Sequence, residues 1–240
     1  MDTILGKKII KKSKIYKEDI CNLSRIPCSI YDNPCYKTVR QILENEQLCL
    51  QDSALYELAE TFKPKTLADL YSVNGILENY KYDRVFLPWI HKEPAPVSYR
   101  DVAFVSYENK SVLKKQFEKI KKLISSIKEK GFIPDSFPDR KRGQITGYFL
   151  KNGDKVKFYV VSGNHRTSVV SALSPHDLIP SIYEENGFMK PRDKINVGKS
   201  ILNSFPNCFD AKEVDDWPSV KSGFLKREAA LQIINKYLGV

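Results

Sequence analysis

The stretch YVVSGNHRTSVVSAL, Tyr159–Leu173, constrains the fold of this chain more than any other. It begins with Tyr159-Val160-Val161, which is apolar and partly β-branched and therefore favours a buried strand. Gly163 follows and permits a sharp turn with positive φ. The apolar residues after it recur at helical spacing, at Val169, Val170, Ala172 and Leu173. The stretch thus predicts a strand, a glycine turn and a helix that begins near Asn164.

The start of this helix has the properties of an anion site. Asn164, His165 and Arg166 fall on the first turn, where backbone N–H groups lack helical partners and the helix dipole is positive. The guanidinium of Arg166 can hold a phosphate group with two parallel hydrogen bonds. A phosphate site is therefore predicted here. Two other interpretations stay open, that the junction binds nothing or that Arg166 only caps or pairs within the fold.

A long basic helix is predicted at Lys110–Lys130. Its apolar residues fall on one stripe, and Gly131 is a good C-terminal stop. The segment holds eight lysines against Glu118 and Glu129, and the whole chain has a net charge of +10. Such a surface attracts a polyanion, a nucleotide or an acidic sugar. A solvated lysine face without a ligand is the alternative. The stripe consists of Leu113, Phe117, Ile120, Ile124 and Ile127.

The remaining patterns predict an α+β fold with three regions. Alternating residues on both sides of Asn152-Gly153-Asp154 predict a β-hairpin, and Arg84–Trp89 is predicted to be a strand. Helical patterns dominate residues 1–80, and a last helix is predicted at Lys226–Leu238. We therefore expect an N-terminal helical region at 1–80, a core at 81–185 and a C-terminal helical extension at 186–240 that packs on the core.

The composition bears on whether the protein spans a membrane and on where in the cell it is located. No stretch approaches the roughly 18 apolar residues that a membrane span requires, and no secretory signal is predicted at the N-terminus. Five cysteines without a C-x-x-C pair favour reduced thiols and a cytoplasmic location. A zinc site among the first four cysteines is the alternative.

The stretch at Gly163 resembles the signature of the ParB/sulfiredoxin-like fold, in which a glycine, a variable residue and then His-Arg or Arg-Arg begin a helix after a strand. The segment FEKIKKLISSIKEKGFIP, Phe117–Pro134, is similar to the preceding helix of that family. The likeness covers about Val85 to Ile182. It implies a nucleotide-binding core with a mixed sheet, in which the helix start holds the phosphates.

The resemblance also implies which residues bind the nucleotide. Ser126 matches the hydroxyl position on the preceding helix, and Lys119 falls where sulfiredoxin-like proteins have a basic residue. Asn164 stands where sulfiredoxin has its nucleophilic cysteine, so sulfiredoxin chemistry is not expected. The complete nucleotide-binding set implied is Lys119, Ser126, Gly163, Asn164, His165, Arg166 and Thr167.

The expected function is that of a nucleotide-dependent small-molecule kinase, similar to the free serine kinase branch of the fold. Its implied cofactors are ATP or ADP, with CTP as a further option, and Mg²⁺. The segments FKPKT at Phe62–Thr66 and WPSVKSG at Trp217–Gly223 resemble bacterial proteins of surface-polysaccharide synthesis, which favours a sugar-like acceptor. Two alternatives stay open, a ParB-like nucleotide-gated module that binds nucleic acid and a non-catalytic nucleotide sensor. Without a helix-turn-helix, only non-specific contact with nucleic acid is expected.

Glu93 is the predicted general base. It follows the predicted strand in a proline-rich loop, where a carboxylate can orient the acceptor hydroxyl. Asp101, Asp135 and Asp139 are further candidates, and a surface carboxylate without a role is the alternative interpretation of Glu93. His165 is the second predicted catalytic residue, acting on phosphate charge rather than as a base.

Overall fold

The strands of the computed structural model come from widely separated parts of the chain. The structure describes residues 3–4, 7–8, 20–21, 27–63, 66–71, 86–93, 110–132, 145–174, 189–191 and 208–240. β1 and β2 form a separate antiparallel pair, and the other strands of these residues build one five-stranded mixed sheet. The strands are β1 (Thr3–Ile4), β2 (Lys7–Lys8), β3 (Ile20–Cys21), β4 (Ile145–Asn152), β5 (Lys155–Ser162), β6 (Met189–Pro191) and β7 (Cys208–Asp210).

The centre of the sheet is the hairpin of β4 and β5. The two strands pair antiparallel down to Asn152 opposite Lys155, so that Gly153 and Asp154 form a two-residue loop. Gly153 has φ +56°, as such tight connections require. The hairpin predicted around these residues is confirmed. The register shifts beside Gly147, where a Cβ atom would lie 2.0 Å from the carbonyl oxygen of Tyr159.

The outer strands are parallel to their neighbours. β3 lies beside β5, with Ile20 opposite Phe158. On the other side of the hairpin, β6 pairs with the first residues of β4 and β7 pairs with its last residues. Because parallel pairing needs long connections, strands from distant parts of the chain meet in one sheet. The predicted α+β class with a mixed sheet is confirmed at this level.

The helices begin and end at recognisable signals. The side chain of Asn33 accepts the N–H of Cys35 at 2.8 Å and caps α1, and Thr66 and Asp69 cap α3 reciprocally. Gly131, with φ +71°, ends α4 as predicted. The helices are α1 (Pro34–Glu44), α2 (Ala54–Thr61), α3 (Leu67–Tyr71), α4 (Lys110–Lys130), α5 (Asn164–Leu173), α6 (Pro218–Lys221) and α7 (Arg227–Leu238), with 3₁₀ helices at Leu50–Asp52 and Ala211–Asp216.

Different parts of the chain cover the two faces of the sheet. One face presents Tyr148 and Tyr159, whose stacked rings lie 4.9 Å apart and pack against Trp89 and Tyr237 of α7. The opposite face packs on Val170 of α5 through Phe149, Phe158 and Val160. The apolar stripe of α4 joins α1, α2 and α5 in a further cluster on that side. The helix α5 is therefore held between the sheet and a layer of helices.

The strand predicted at Arg84–Trp89 is wrong for the part of it that the structure describes. Residues 88–90 form a turn, with the N–H of His91 donating to the carbonyl of Leu87 at 2.8 Å. Pro88 has no N–H to donate to a sheet ladder. The apolar residues are still buried, because Phe86 and Trp89 pack against the aromatic face of the sheet. The sequence pattern of these residues resembles that of a strand because they are buried, and not because they pair with one.

The predicted boundaries near 80 and 185 lie outside the described residues. Elements from all three predicted regions share the same sheet, since β3 pairs with β5 and β7 pairs with β4. Among the described helices, none is long and apolar enough to cross a membrane. The five cysteines all lie in the described part of the chain and form no disulfide.

Candidate functional site

The glycine turn predicted from the sequence opens α5. Gly163 has φ +93° and ψ +21°, a left-handed conformation that glycine adopts without strain. Its carbonyl accepts the backbone N–H of Thr167 at 2.8 Å and the Thr167 hydroxyl at 3.1 Å. No side chain caps the helix start, and no acidic residue lies in its first turn. The positive end of the helix dipole therefore has no carboxylate in the first turn of α5 itself.

Three basic side chains come together at this helix start, and we call Lys119, His165 and Arg166 the cationic cluster. His165 and Arg166 occupy the first turn of α5, whereas Lys119 comes from α4, which packs beside it. Both Lys119 and Arg166 act electrostatically on the His165 ring. The structure therefore brings Lys119 close to His165, which is 46 positions later in the sequence.

His165 is uncharged in this setting. Burial, followed by the charges of Lys119 and Arg166, lowers the pKa of His165 from 6.5 to about 4. At neutral pH the imidazole therefore offers one N–H donor and one acceptor nitrogen rather than a positive charge. The positive charge of the cluster comes from Lys119 and Arg166 and from the helix dipole.

Arg166 and Lys119 differ in their exposure. Arg166 is half-buried, and burial lowers its pKa, yet a guanidinium keeps its charge under all ordinary conditions. Lys119 is exposed on the surface of α4. A half-buried guanidinium and an exposed ammonium suit an anion that enters from solvent.

The structure places the other predicted nucleotide ligands less favourably. Thr167 is fully buried, and its hydroxyl already donates to Gly163, so it stabilises the turn. Ser126 is exposed on α4, seven residues after Lys119 and thus roughly 10 Å farther along the helix axis. Within the described residues, no contact joins Ser126 to the first turn of α5. Its predicted role stays a prediction.

Glu93 lies in a segment that is anchored to the C-terminal part of the chain. The Ser222 hydroxyl donates to the carbonyl of Lys92 at 3.0 Å, and Ser219 N–H donates to the carbonyl of Pro88 at 3.3 Å. This segment packs on the face of the sheet opposite to the one that α5 covers. Glu93 itself is exposed, and no described contact links it to the cationic cluster. Its role as the base also stays a prediction.

Gln116 on α4 and Ser168 on α5 have buried polar atoms that are not predicted from the sequence. The side-chain oxygens of Gln116, Asn164 and Ser168 are buried without a hydrogen-bond partner in the described part of the chain. Of the three, Asn164 is predicted from the sequence, by its place on the first turn of the helix and in the motif. Gln116 precedes Lys119 by three positions on α4, a spacing that puts both side chains on one flank. That spacing is the signal that the sequence offers for Gln116.

A cleft of about 360 Å³ lies elsewhere, between α1 and α4. Charged side chains line it, and the Lys128 ammonium lies 3.7 Å from the Glu46 carboxylate. Lys121, in the same cleft, donates to the carbonyl of Leu48 at 3.2 Å. The residues that line the cleft do not include any of the cationic cluster. Its charges compensate one another, so it is not a second anion site.

Within the described residues, no group of three or more His, Cys, Asp or Glu side chains could hold a metal ion. Asp101, Asp135 and Asp139 lie outside those residues. A scan against protein-family models, a search of curated proteins and a search of solved structures each find no significant match for this chain. The function is therefore argued from the site itself.

Proposed function

We propose that this protein binds a nucleotide by its phosphates at the start of α5 and transfers a phosphoryl group to a small, polar or sugar-like acceptor. The observation that carries the proposal is the convergence of Lys119, His165 and Arg166 on a helix start that has no acidic residue in its first turn. A phosphate group would supply negative charge at a helix start that has no acidic residue in its own first turn.

The chemistry of the cluster fits phosphate better than a carboxylate alone. Arg166 presents several N–H donors in a plane, and the first turn of α5 adds backbone N–H groups. Lys119 adds a flexible positive charge from the neighbouring helix. Phosphoryl transfer depends mainly on holding the phosphates and on stabilising charge on their oxygens. The two cations and the helix dipole are suited to that task.

The strand, glycine turn and helix also support placing the chain in the ParB/sulfiredoxin-like fold, near its free serine kinase branch. In the proposed reaction Arg166 and Lys119 hold the phosphates, and neutral His165 orients a phosphate oxygen with its N–H group. Mg²⁺ commonly bridges phosphate oxygens in such reactions. Because the first turn of α5 has no carboxylate, no described residue of this site is assigned to the metal.

The lysine-covered surface of α4 favours a second candidate function, a nucleotide-gated module that binds nucleic acid. Seven of the eight lysines of α4 are exposed, and Lys121 is half-buried. Such a row neutralises backbone phosphates without reading the sequence, so duplex DNA affinity would fall steeply with salt. A gel-shift assay at low and at physiological salt separates this candidate from an enzyme. Sequence preference that persists at physiological salt would favour the nucleic-acid module.

The proposal is tested by calorimetry with ATP, ADP and CTP, with and without Mg²⁺. Arg166→Ala should weaken nucleotide binding by about 1.5–3 kcal/mol, because it removes a charge-assisted hydrogen-bonding group. Arg40→Ala is the control, since Arg40 is exposed on α1 and pairs only with Glu44 among the ion pairs described. Equal nucleotide affinity in folded Arg166→Ala and wild-type protein would refute the phosphate site. Transfer itself is then followed as ADP release with a panel of hydroxylated acceptors.

A further inference from the structure

The turn at residues 88–90 is closed by the side chain of His91 as well as by its backbone. The N–H of Leu87 donates to Nδ1 of the His91 ring at 2.9 Å, and the N–H of His91 donates back to the Leu87 carbonyl at 2.8 Å. The same carbonyl accepts the N–H of Ile90 at 2.9 Å. The Leu87 backbone is therefore satisfied within this turn, and the acceptor of its N–H is a titratable ring.

The bond to the ring fixes the protonation state of His91. A ring nitrogen that accepts an N–H needs a free lone pair, so Nδ1 carries no proton and the ring is neutral with its hydrogen on Nε2. An ordinary histidine takes up a second proton near pH 6.5. In His91 that proton would go to Nδ1, where it would face the N–H of Leu87. Two donors would then meet, and the bond would be lost.

Other contacts hold the segment in place when this bond is lost. Phe86 and Trp89 are buried in the aromatic cluster on one face of the sheet. The N–H of Ser219 donates to the carbonyl of Pro88 at 3.3 Å. Burial of large aromatic side chains stabilises a fold more than a single hydrogen bond does. Loss of the one bond therefore opens the turn locally and leaves the segment packed.

The phenols and the thiol packed around this segment do not titrate together with His91. The hydroxyl of Tyr71 on α3 donates to the carbonyl of Phe86, so it carries its proton. Burial raises the pKa of the Cys21 thiol and of three further tyrosines in the cluster around Trp89. Groups with a pKa raised in this way stay uncharged at neutral and acidic pH. The three tyrosines are Tyr148, Tyr159 and Tyr237.

The charged side chains near the turn are carboxylates, amines and guanidinium groups, which ordinarily titrate outside the range of pH 5–7. On α3, a carboxylate oxygen of Asp69 accepts a backbone N–H at the start of that helix. Lys92 and Glu93, in the segment itself, are exposed. The imidazole of His91 is therefore the group at this turn that changes its charge in that range. The ion pairs on the other neighbouring elements are Lys151–Asp210 in the sheet, Lys221–Asp216 at α6 and Arg227–Asp215 at α7.

We infer that His91 is a pH-sensitive latch: its unprotonated ring closes the turn that begins at Leu87, and protonation of the ring opens that turn. The ring is half-buried, so a proton from solvent can reach it. Glu93 lies two residues after the latch, so the position of this carboxylate becomes less constrained when the turn opens. The inference does not depend on the proposed function, because it concerns the face of the sheet opposite to α5.

The latch is tested by NMR at pH 7 and at pH 5, where His165 is still largely uncharged because its pKa is about 4. The nitrogen chemical shifts of the His91 ring should show Nδ1 without a proton at pH 7. The protection of the Leu87 amide against hydrogen exchange should be about tenfold lower at pH 5, the loss expected for one hydrogen bond. The amide of Ser219, which donates to Pro88, is the control and should keep its protection.

Two substitutions separate the latch from a merely structural role of His91. In His91→Asn the amide oxygen lies near the place of Nδ1 and does not titrate, so the Leu87 amide should keep its protection at both pH values. In His91→Gln the amide extends toward the place of Nε2, so the protection should be low at both.

Three results would each overturn the inference. They are a protonated Nδ1 at pH 7, equal protection of the wild-type Leu87 amide at both pH values, and a pH dependence in His91→Asn that equals that of the wild-type protein. The first two are measured on the wild-type protein alone, so they decide the question even where a variant does not fold.

Discussion

Acid should destabilise this protein through one side chain, His165. Its pKa is lowered from 6.5 to about 4 in the folded protein, chiefly by burial and then by Lys119 and Arg166. The unfolded chain therefore takes up the proton more readily than the folded protein does, and unfolding is favoured as the pH falls. His165 costs nothing in stability above about pH 6.5, and its penalty grows as the pH falls toward 4.

The size of the effect follows from the two pKa values. Integration of the linkage relation gives a loss of about 2 kcal/mol between pH 7 and pH 5, and about 3 kcal/mol once the pH is below the folded-state value. A loss of 2 kcal/mol is a large part of the roughly 5–15 kcal/mol that stabilises an ordinary domain. The glutamine side chain of the His165→Gln variant is uncharged at every pH, so this variant lacks the loss of stability that His165 causes in acid.

The assay is urea unfolding of wild-type and His165→Gln protein, each at pH 7 and at pH 5. The wild-type protein should lose about 2 kcal/mol more than the variant on acidification, while contributions of other titrating groups cancel between the two. An equal loss of stability in both proteins would refute the conclusion that the pKa of His165 is lowered in the folded protein. NMR titration of His165 gives the pKa directly, and Lys119→Met should raise it by removing a neighbouring positive charge.

Two further predictions concern the sheet. Gly147→Ala should destabilise the protein by about 3 kcal/mol or more in urea unfolding, because a Cβ atom would lie 2.0 Å from the backbone oxygen of Tyr159. The control is Gly131→Ala, whose Cβ would meet nothing within 4 Å, so the variant should lose only about 1 kcal/mol through its positive φ. Similar losses in the two variants would contradict this account. Asp210→Ala should lower the free energy of unfolding by about 3 kcal/mol, because it removes a buried carboxylate 3.3 Å from the Lys151 ammonium. Thermal unfolding measures this loss. A change below about 0.5 kcal/mol would show that the ion pair does not stabilise the fold.

The features that the sequence predicts well are local ones. The turn at Gly163 and the stop at Gly131 need a positive φ, which a single residue type signals. The stripe of α4 and the hairpin around Gly153 repeat with the periods of a helix and a strand. Each of these signals is complete within a few residues, so no tertiary information is needed to read it.

The sequence fails where long-range contacts decide the structure. The residues around Pro88 are apolar because they pack on distant aromatic rings, and that burial imitates a strand. The pairing of β3 with β5 joins residues that are more than a hundred positions apart, between strands too short to show a pattern. The side-chain oxygen of Gln116 is buried although the residue lies in a lysine-rich helix. The sequence pattern alone cannot tell a buried amide from a solvated one.

The same physics connects stability with binding at the cationic cluster. Without a ligand, burial keeps the His165 ring neutral, and the positive charges of Lys119 and Arg166 add to this effect by repelling a third charge. A bound phosphate would replace that repulsion with attraction, so the ligand would raise the pKa of His165. By linkage, a ligand that raises the pKa binds more tightly as the pH falls. In the proposed complex His165 would therefore strengthen phosphate binding under the acidic conditions in which it destabilises the unliganded protein.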